Sequence, residues 1–550
     1  MSAILKYSRL IWLLVAICCA ATLSFFIFEA ALDIPFIDDY NALLDFIIQY
    51  LRTDSTEEKI HFIFRQHNEH RIVYARLILL LDYYVFGCTN LRHLIFLGSI
   101  SLFLITVIFC VEAYKYSKNT LSIVPVILLS LHFQHMGSLL WATSALQNIG
   151  VTSLACLAIW LLTRHGVFWQ CMGIIFAFIT TFASGTGPFI WVVLLLIALF
   201  GRNVLKCVVI TVLGTGSILL FFHSYRFPIT ENTSITGRLA AMPEVILGVI
   251  GGTFDIHEKG ASLIPVVAGV LLVLIFTFCI ARTGLAALRK DPACQFLLGV
   301  FLFGILSAIA ISLGRGSYVE NRYKVISTLC VLATYNMVLL KLSRKRLKIW
   351  FNVAGIACLG LWLLFFWRYY PEMLEYESVR TADHLSLLNS PQTTHSPFQQ
   401  RINALKELGI KSPDDAQIQQ TFISSNYKND MGLPSLKILK KKNKYAIKWR
   451  DSLGLFKECY LVLKSDRGSF VFPVRKKRNL LSDFFRSGGQ FYTAEREVCI
   501  SYDWIQKGRY TISVYLPDQT CFISIQDTIV IDKNVKPWLS PRWFNDAYAP

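Results

Sequence analysis

The chain has 550 residues, 54% of them hydrophobic and 16% charged, and carries a net charge of +18 from 54 Lys and Arg against 36 Asp and Glu. That balance rules out disorder, a collagen-like fibre and a secreted disulfide scaffold. The basic excess does not point to nucleic acid, because in a chain with apolar runs of span length Lys and Arg mark membrane topology.

The first apolar run, 10–28, follows Lys6 and Arg9 and lacks a small-residue cleavage site, which predicts an uncleaved span with a cytoplasmic N-terminus. The next, 72–86, contains Asp82. At ~1.5 Å per residue it covers only about 22 Å of a ~30 Å hydrocarbon core, so it is expected to lie along the interface. The remaining spans then fall near 93–114, 120–140, 145–163, 167–184, 188–201, 204–222, 262–281, 293–313, 324–341 and 349–368, about eleven in all. This count puts Lys115, Lys118, Arg164, Arg202, Lys206, Arg282, Arg289, Lys290 and the 341–348 cluster on the cytoplasmic side. The polar connections face the other way. The first of them, 33–91, holds nine acids against five Lys and Arg.

After the spans, a linker with short helices is expected over 369–440, including one at 400–408. From 441 to 550 the pattern alternates with period two between turn residues, as in YAIKWR, SFVFPV and RYTISVYL, which predicts a β-sandwich-like extramembrane domain. The expected fold class is thus a polytopic α-helical membrane protein, 1–368, with the first outer loop at 33–92 and a C-terminal β-rich domain. Of 14 cysteines, eleven precede residue 360 and read as small apolar side chains. Cys459, Cys499 and Cys521 permit one disulfide without identifying it.

Candidate chemistry gathers in the outer loops. Asp38 and Asp39 adjoin the first span, and paired carboxylates suit a general base or a metal ligand pair. In the stretch 66–71, Asn68 is expected to cap the interfacial helix, leaving the N–H groups of 69–71 and Arg71 for an anion. His67 and His70 could instead share a metal with nearby acids. The 314–323 loop brings Arg315 and Arg322, with Tyr318 and Tyr323, to the side where cations run against the orientation rule, which points to a lipid phosphate. Trp141, Gln147 and Asn148 could stack on and hydrogen-bond a sugar, although an interfacial Trp is more often an anchor. Tyr225 and Arg226, with His223, Asp255, His257 and Glu258, bracket a short apolar segment, 245–253, that could re-enter the membrane.

These features together resemble the GT-C superfamily of integral-membrane glycosyltransferases: paired acids directly after the first helix, an interfacial helix in the same loop, many further spans and an outward-facing tail. The HNEHR, WATSALQN and GRGSYVENRY stretches look similar to those of bacterial relatives, and the architecture resembles serotype-converting O-antigen glucosyltransferases. The resemblance covers 1–368. It implies a hexose such as glucose taken from a polyprenyl-phosphate donor and passed to a surface polysaccharide or lipid-linked acceptor. The setting would be the bacterial inner membrane, with the tail in the periplasm. In that plan Asp38 or Asp39 is the base, with Glu69 beside them as a further acid, and Arg71, Arg315 and Arg322 clamp the phosphate. A divalent metal, Mg or Mn, is used by some members and stays open here, as does the oligomeric state. A flippase or transporter of a lipid-linked saccharide, or an O-antigen polymerase or ligase, is the alternative.

Overall fold

The computed structural model describes residues 2–226, 235–256, 263–315, 320–342, 344–389, 403–404, 406–409, 436–440, 444–451, 459–465, 468–501, 505, 507–517 and 521–531. The chain divides into two units, one formed by Met1–Ala31 with Asn41–Tyr370, the other by Leu32–Tyr40 with Pro371–Pro550.

The first unit is helical. Its elements are α1 (Ser2–Ala30), α2 (Asp45–Arg52), α3 (Thr56–Phe64), α4 (Val73–Phe86), α5 (Leu91–Ser117), α6 (Thr120–Leu139), α7 (Ala142–Leu162), α8 (Val167–Thr181), α9 (Phe189–Phe200), α10 (Val204–Phe222), α11 (Ile235–Ile250), α12 (Leu263–Lys290), α13 (Pro292–Arg315), α14 (Lys324–Leu339) and α15 (Arg344–Asn389). Eight helices among the described residues are long and apolar enough to cross a membrane, lying within α1, α5, α6, α7, α10, α12, α13 and α15. The other three expected spans are also helical but shorter, with 15, 12 and 16 residues in α8, α9 and α14. α6 is broken at Leu131 and His132, where the chain bends before a 3-10 turn over Phe133–His135. α7 carries a π-turn over Ala145–Ile149. The expected half-length segment at 245–253 covers the end of α11, a 16-residue helix with Pro243 inside it, and runs into the 3-10 turn Gly252–Phe254 that follows.

Burial separates lipid-facing helices from the bundle core. α1, α10 and α12 bury little of their apolar windows, 22%, 22% and 28%, whereas α7 buries 83%. Large side chains such as Leu10, Val204, Leu219 and Leu263 therefore point outward, as a hydrocarbon solvent allows. α14 sits innermost, with Val325 through Met337 buried. Two of its polar groups bond to neighbouring segments: the Ser327 hydroxyl donates to the Ile250 carbonyl at 2.7 Å and the Tyr335 hydroxyl to the Ser122 carbonyl at 3.0 Å.

The second unit is a β-sandwich. Strands β1 (Lys437–Lys440), β2 (Lys444–Arg450), β3 (Tyr460–Ser465), β4 (Gly468–Pro473), β5 (Arg475–Arg478), β6 (Tyr492–Ser501), β7 (Gly508–Leu516) and β8 (Cys521–Ile531) form two antiparallel sheets, in the orders β1-β2-β6-β5 and β4-β3-β7-β8. Alternation decides the faces. Tyr510, Ile512, Val514 and Leu516 of β7 enter the core between the sheets with Ile447, Leu461, Phe472 and Ile500. Tyr515 points the other way and packs with Tyr460, Val462 and Phe522 against Ala382 and Leu385 of α15. Where a linker is expected from 369, the chain instead stays helical to Asn389, because this half of α15 has a sheet face to cover. The Ser386 hydroxyl and the Val471 backbone exchange two hydrogen bonds of 2.8 Å. Within the helix expected at 400–408, the described residues 403–404 and 406–407 are helical, and the Leu408 N–H donates to the Ala404 carbonyl at 3.1 Å.

Candidate functional site

Several of the residues singled out in the sequence converge at one end of the helical bundle. α3 ends at Phe64 and the chain doubles back through 67–70, where the backbones of His67 and His70 exchange two hydrogen bonds of 2.8 Å. Asn68 stands at the tip of this turn with φ of +49°, a conformation Asn tolerates better than most residues. It does not cap a helix. α4 begins only at Val73, its N-cap position is Ile72, and no side chain caps it. The His70 N–H is spent on the turn, so the expected row of free N–H donors at 69–71 is not the arrangement found.

Gln66 joins this turn to the chain after α10. Its amide nitrogen donates to the Asn68 and Arg226 carbonyls, both at 2.6 Å, and its oxygen accepts the Arg226 N–H at 2.8 Å. Arg71, 7% exposed, sends Nε to the Phe221 carbonyl at 2.5 Å and its two terminal nitrogens to the carbonyls of Phe64 and His223. Burial lowers its pKa, while Tyr225 works in the opposite direction. The Tyr225 hydroxyl donates to the Glu69 carbonyl at 3.1 Å, and burial together with Glu69 raises its pKa.

The result is a cavity of about 600 Å³ lined by His61, Phe64, Arg65, Gln66, Asn68, Arg71, His223, Ser224 and Arg226. Among the described residues, three arginines and no carboxylate line it. A further guanidinium lies behind: Arg76 of α4 is 1% exposed and donates to the carbonyls of Ile63, at 3.0 Å, and Arg65. Burial first, then the charges of Arg65 and Arg71, push its pKa down to about 9. Cations that repel one another at a concave surface lower their energy by taking up an anion.

The 184–187 turn packs on the same loop. The Gly185 N–H donates to His70 Nδ1 at 2.9 Å, which places the ring proton on Nε2, 3.3 Å from the Glu69 carboxylate. His70 is thereby fixed between Gly185 and Glu69. Among the described residues, no three or more His, Cys, Asp or Glu are arranged to hold a metal ion.

A second group forms around the 320–323 turn. Arg322 lies 5.6 Å from the Trp141 ring and 5.4 Å from Tyr323, and pairs with Glu320 at 2.6 Å. Gln147 and Asn148 lie in the π-turn of α7, Gln147 buried and the Asn148 amide donating to the Ser144 hydroxyl at 3.0 Å. Tyr318 and the Arg315 side chain lie outside the described residues, as do His257 and Glu258.

Inside the bundle is a polar cluster that the sequence reading did not assemble. Lys324, with no side-chain exposure, donates to the Asp255 carbonyl at 2.9 Å and the Tyr369 hydroxyl at 3.2 Å, and its nitrogen is 3.8 Å from the Asp255 carboxylate. Gln134 donates to the Asp255 carbonyl at 3.0 Å. The signal for it was the break in α6, since Gln134 and the stacked His132 and His135 rings, 4.4 Å apart, sit where an apolar span would otherwise continue.

Asp38 and Asp39 belong to the second unit. Asp39 is buried, and its carboxylate accepts the Phe36 N–H at 3.0 Å, while Asp38 is half-buried.

The shared cavity also fixes a point of topology. Residues 61–71 and 223–226 meet in it, so they lie on one side of the membrane. Between them run α5 through α10, of which α5, α6, α7 and α10 are long enough to cross a membrane. With α8 and α9 counted as the crossings the sequence predicts, there are six, an even number, and an added crossing by α4 would separate the two loops. On that count the contact of Gly185 with His70 agrees with an α8–α9 turn on the same side and with an α4 that lies along the interface.

Neither a family model nor a curated protein matches the chain. Among solved structures it is similar to the crystal structure of ArnT from Cupriavidus metallidurans bound to undecaprenyl phosphate, with 12% identity over 76% of this chain and 83% of that one and a TM-score of 0.37.

Proposed function

We propose that this protein is a membrane glycosyltransferase that moves a hexose from a polyprenyl-phosphate donor to a surface polysaccharide or lipid-linked acceptor, as in O-antigen modification. The observation that carries the reading is the arginine-lined cavity at one end of a polytopic bundle. A sugar phosphodiester carries one negative charge and the departing lipid phosphate carries up to two. A fixed set of guanidinium groups therefore stabilises the leaving group more than the donor, which is the condition for catalysis.

In this reaction the acceptor oxygen forms a bond to the anomeric carbon as the bond from that carbon to the phosphate oxygen breaks. The acceptor proton passes to a carboxylate, for which Asp38 and Asp39 are the candidates. Arg65, Arg71 and Arg226 would face the phosphate, with His67, Asn68, Glu69 and His70 shaping the loop behind it. Arg315 and Arg322 stay candidates for the phosphate from a second loop, and Trp141, Gln147, Asn148, Tyr318 and Tyr323 for the sugar or acceptor. The basic residues after α5, α7, α9 and α12 support a cytoplasmic location for the opposite end, and so a periplasmic cavity in a bacterial inner membrane.

The test is transfer by the purified protein in liposomes, with polyprenyl-phosphate glucose as donor, alongside linkage analysis of surface polysaccharide from cells with and without the gene. A new glycosidic linkage that depends on the protein is expected, and Arg65→Gln with Arg226→Gln should weaken donor binding. Movement of lipid-linked saccharide across the membrane with no new linkage would overturn the reading in favour of a flippase. Joining of whole repeat units from a pyrophosphate-linked donor would favour a polymerase or ligase.

A further inference from the structure

Within the second unit, the segment carrying the acid pair packs against the helix that ends α15. Arg380 is among the largest fully buried side chains, 1% exposed. Its guanidinium lies 4.5 Å from the Phe36 ring and 4.2 Å from the Tyr376 ring and donates to the Tyr376 hydroxyl. Phe36 and Tyr376 meet edge to face at 5.9 Å. Tyr376 is within electrostatic reach of both Arg380 and Asp39. Asp39 closes the turn by accepting the Phe36 N–H.

Between these two fixed points sits Ile37, with φ of +42°. A β-branched residue does not adopt that conformation unless its surroundings impose it, and such strain concentrates where a neighbouring side chain must be aimed. Phe36 is held by Arg380 and Tyr376, and Asp39 is held by the Phe36 backbone. Asp38 is the member of the acid pair left half-buried.

We propose that Arg380 is a positioning residue for the acid pair: it holds the strained turn at 36–39 so that Asp38, with Asp39 as the turn's anchor, is the carboxylate presented to the acceptor hydroxyl. This rests on the transferase reading above. The structural alternative is that Arg380 serves only as counter-charge to Asp383, whose buried carboxylate feels it.

Transfer by the full-length protein in liposomes separates these roles. Asp38→Asn is expected to lower kcat by about 10²–10⁴. Asp39→Asn and Arg380→Met should each lower kcat by up to about 10²-fold through misplacement, leaving the donor KM unchanged. Arg380→Lys, which keeps charge but not the planar stack, should recover part of the rate. Because Asp39 and Arg380 hold the same turn, the double variant should be little slower than either single one. Losses that multiply in the double variant, or an unchanged kcat in Arg380→Met, would overturn the positioning role. Arg380→Lys serves in its place should Arg380→Met fail to accumulate, with reduced kcat at unchanged KM supporting the role and wild-type kcat overturning it. Equal kcat losses in Asp383→Asn and Arg380→Met would favour the counter-charge alternative. Absence of transfer by the wild type overturns the transferase reading and this inference together, whereas wild-type transfer that depends on Asp38 but not on Arg380 overturns only the inference.

Discussion

The Tyr225 hydroxyl donates to the Glu69 backbone carbonyl at 3.1 Å across 156 residues of chain, and with the Gln66–Arg226 hydrogen bonds it ties together the two segments that line the arginine-rich cavity. Tyr225→Phe removes this bond while keeping the ring contact of Tyr225 with Phe221. The expected cost is about 0.5–1.5 kcal/mol of stability, together with a few-fold weaker binding of lipid phosphate as the loop loosens. Thermal unfolding in detergent and a lipid-phosphate titration measure the two effects. Wild-type values for both would show that the hydroxyl does not hold the cavity together.

Arg71 and Arg226 line the same cavity but should respond differently to substitution. Arg71 already serves three backbone carbonyls with its three nitrogens, a geometry that an ammonium on a flexible stem cannot reproduce. Arg71→Lys is therefore expected to lower the melting temperature and the yield of folded protein. Arg226 is exposed and is held through its backbone, so Arg226→Gln should leave stability within about 0.5 kcal/mol and weaken anion binding. The opposite pattern would assign the structural role to Arg226.

The helices were legible because apolar runs of span length leave few alternatives in a bilayer, and the sandwich because strict alternation has one core face. The site was legible only in part. The stretch 66–71 could be recognised as dense in functional groups, but Asn68 suits both a helix cap and a left-handed turn, and only the position of Val73 decides between them. Arg71 read as a free cation because its carbonyl partners lie up to 152 residues away. Lys324 follows directly on the cations of the 314–323 loop, yet it is folded wholly inward, where Asp255 and Tyr369 from two other segments receive it and Gln134 from a third joins them. Pairings of this separation leave no local trace in a single sequence.

Gly185 approaches the loop closely enough that a β-carbon there would lie 2.8 Å from both the Glu69 carbonyl and His70 Nδ1. The Glu69 carbonyl is backbone of the 67–70 turn and cannot yield without opening it, and the His70 ring would have to give up its bond from the Gly185 N–H. Gly185→Val is expected to insert normally and to lose most transfer activity, measured in liposomes against the amount of folded protein. Full activity would mean that the His70 contact does not matter to the reaction.

Lys324 and Asp255 offer a test of stability that is independent of any substrate. Removing one partner from a buried pair typically costs about 3–5 kcal/mol, whereas replacing both with apolar groups costs far less. Lys324→Met should therefore accumulate poorly and melt early, and adding Asp255→Leu should restore part of the loss. A double variant worse than the single one would show that the Lys324 hydrogen bonds to backbone and Tyr369 matter more than its charge pairing.

The last prediction concerns the membrane itself. If 61–71 and 223–226 share a cavity and α4 does not cross, topology reporters fused after Arg71, after Thr89 and after Arg226 must all behave alike. Reporters fused after Arg164 and after Asp291 must show the opposite behaviour, because α7 and α12 end there among the basic residues that orient the protein. Eleven crossings from a cytoplasmic start also require a reporter after Asp383 to match the Arg71 group. Opposite signals from Arg71 and Thr89 would make α4 a span, which would place the two walls of the cavity on different sides of the bilayer. Matching signals there, with inverted ones at Arg164, leave the arginine cluster facing the compartment opposite the cytoplasm, where a phosphate-bearing lipid headgroup is the anion within reach of an interfacial helix.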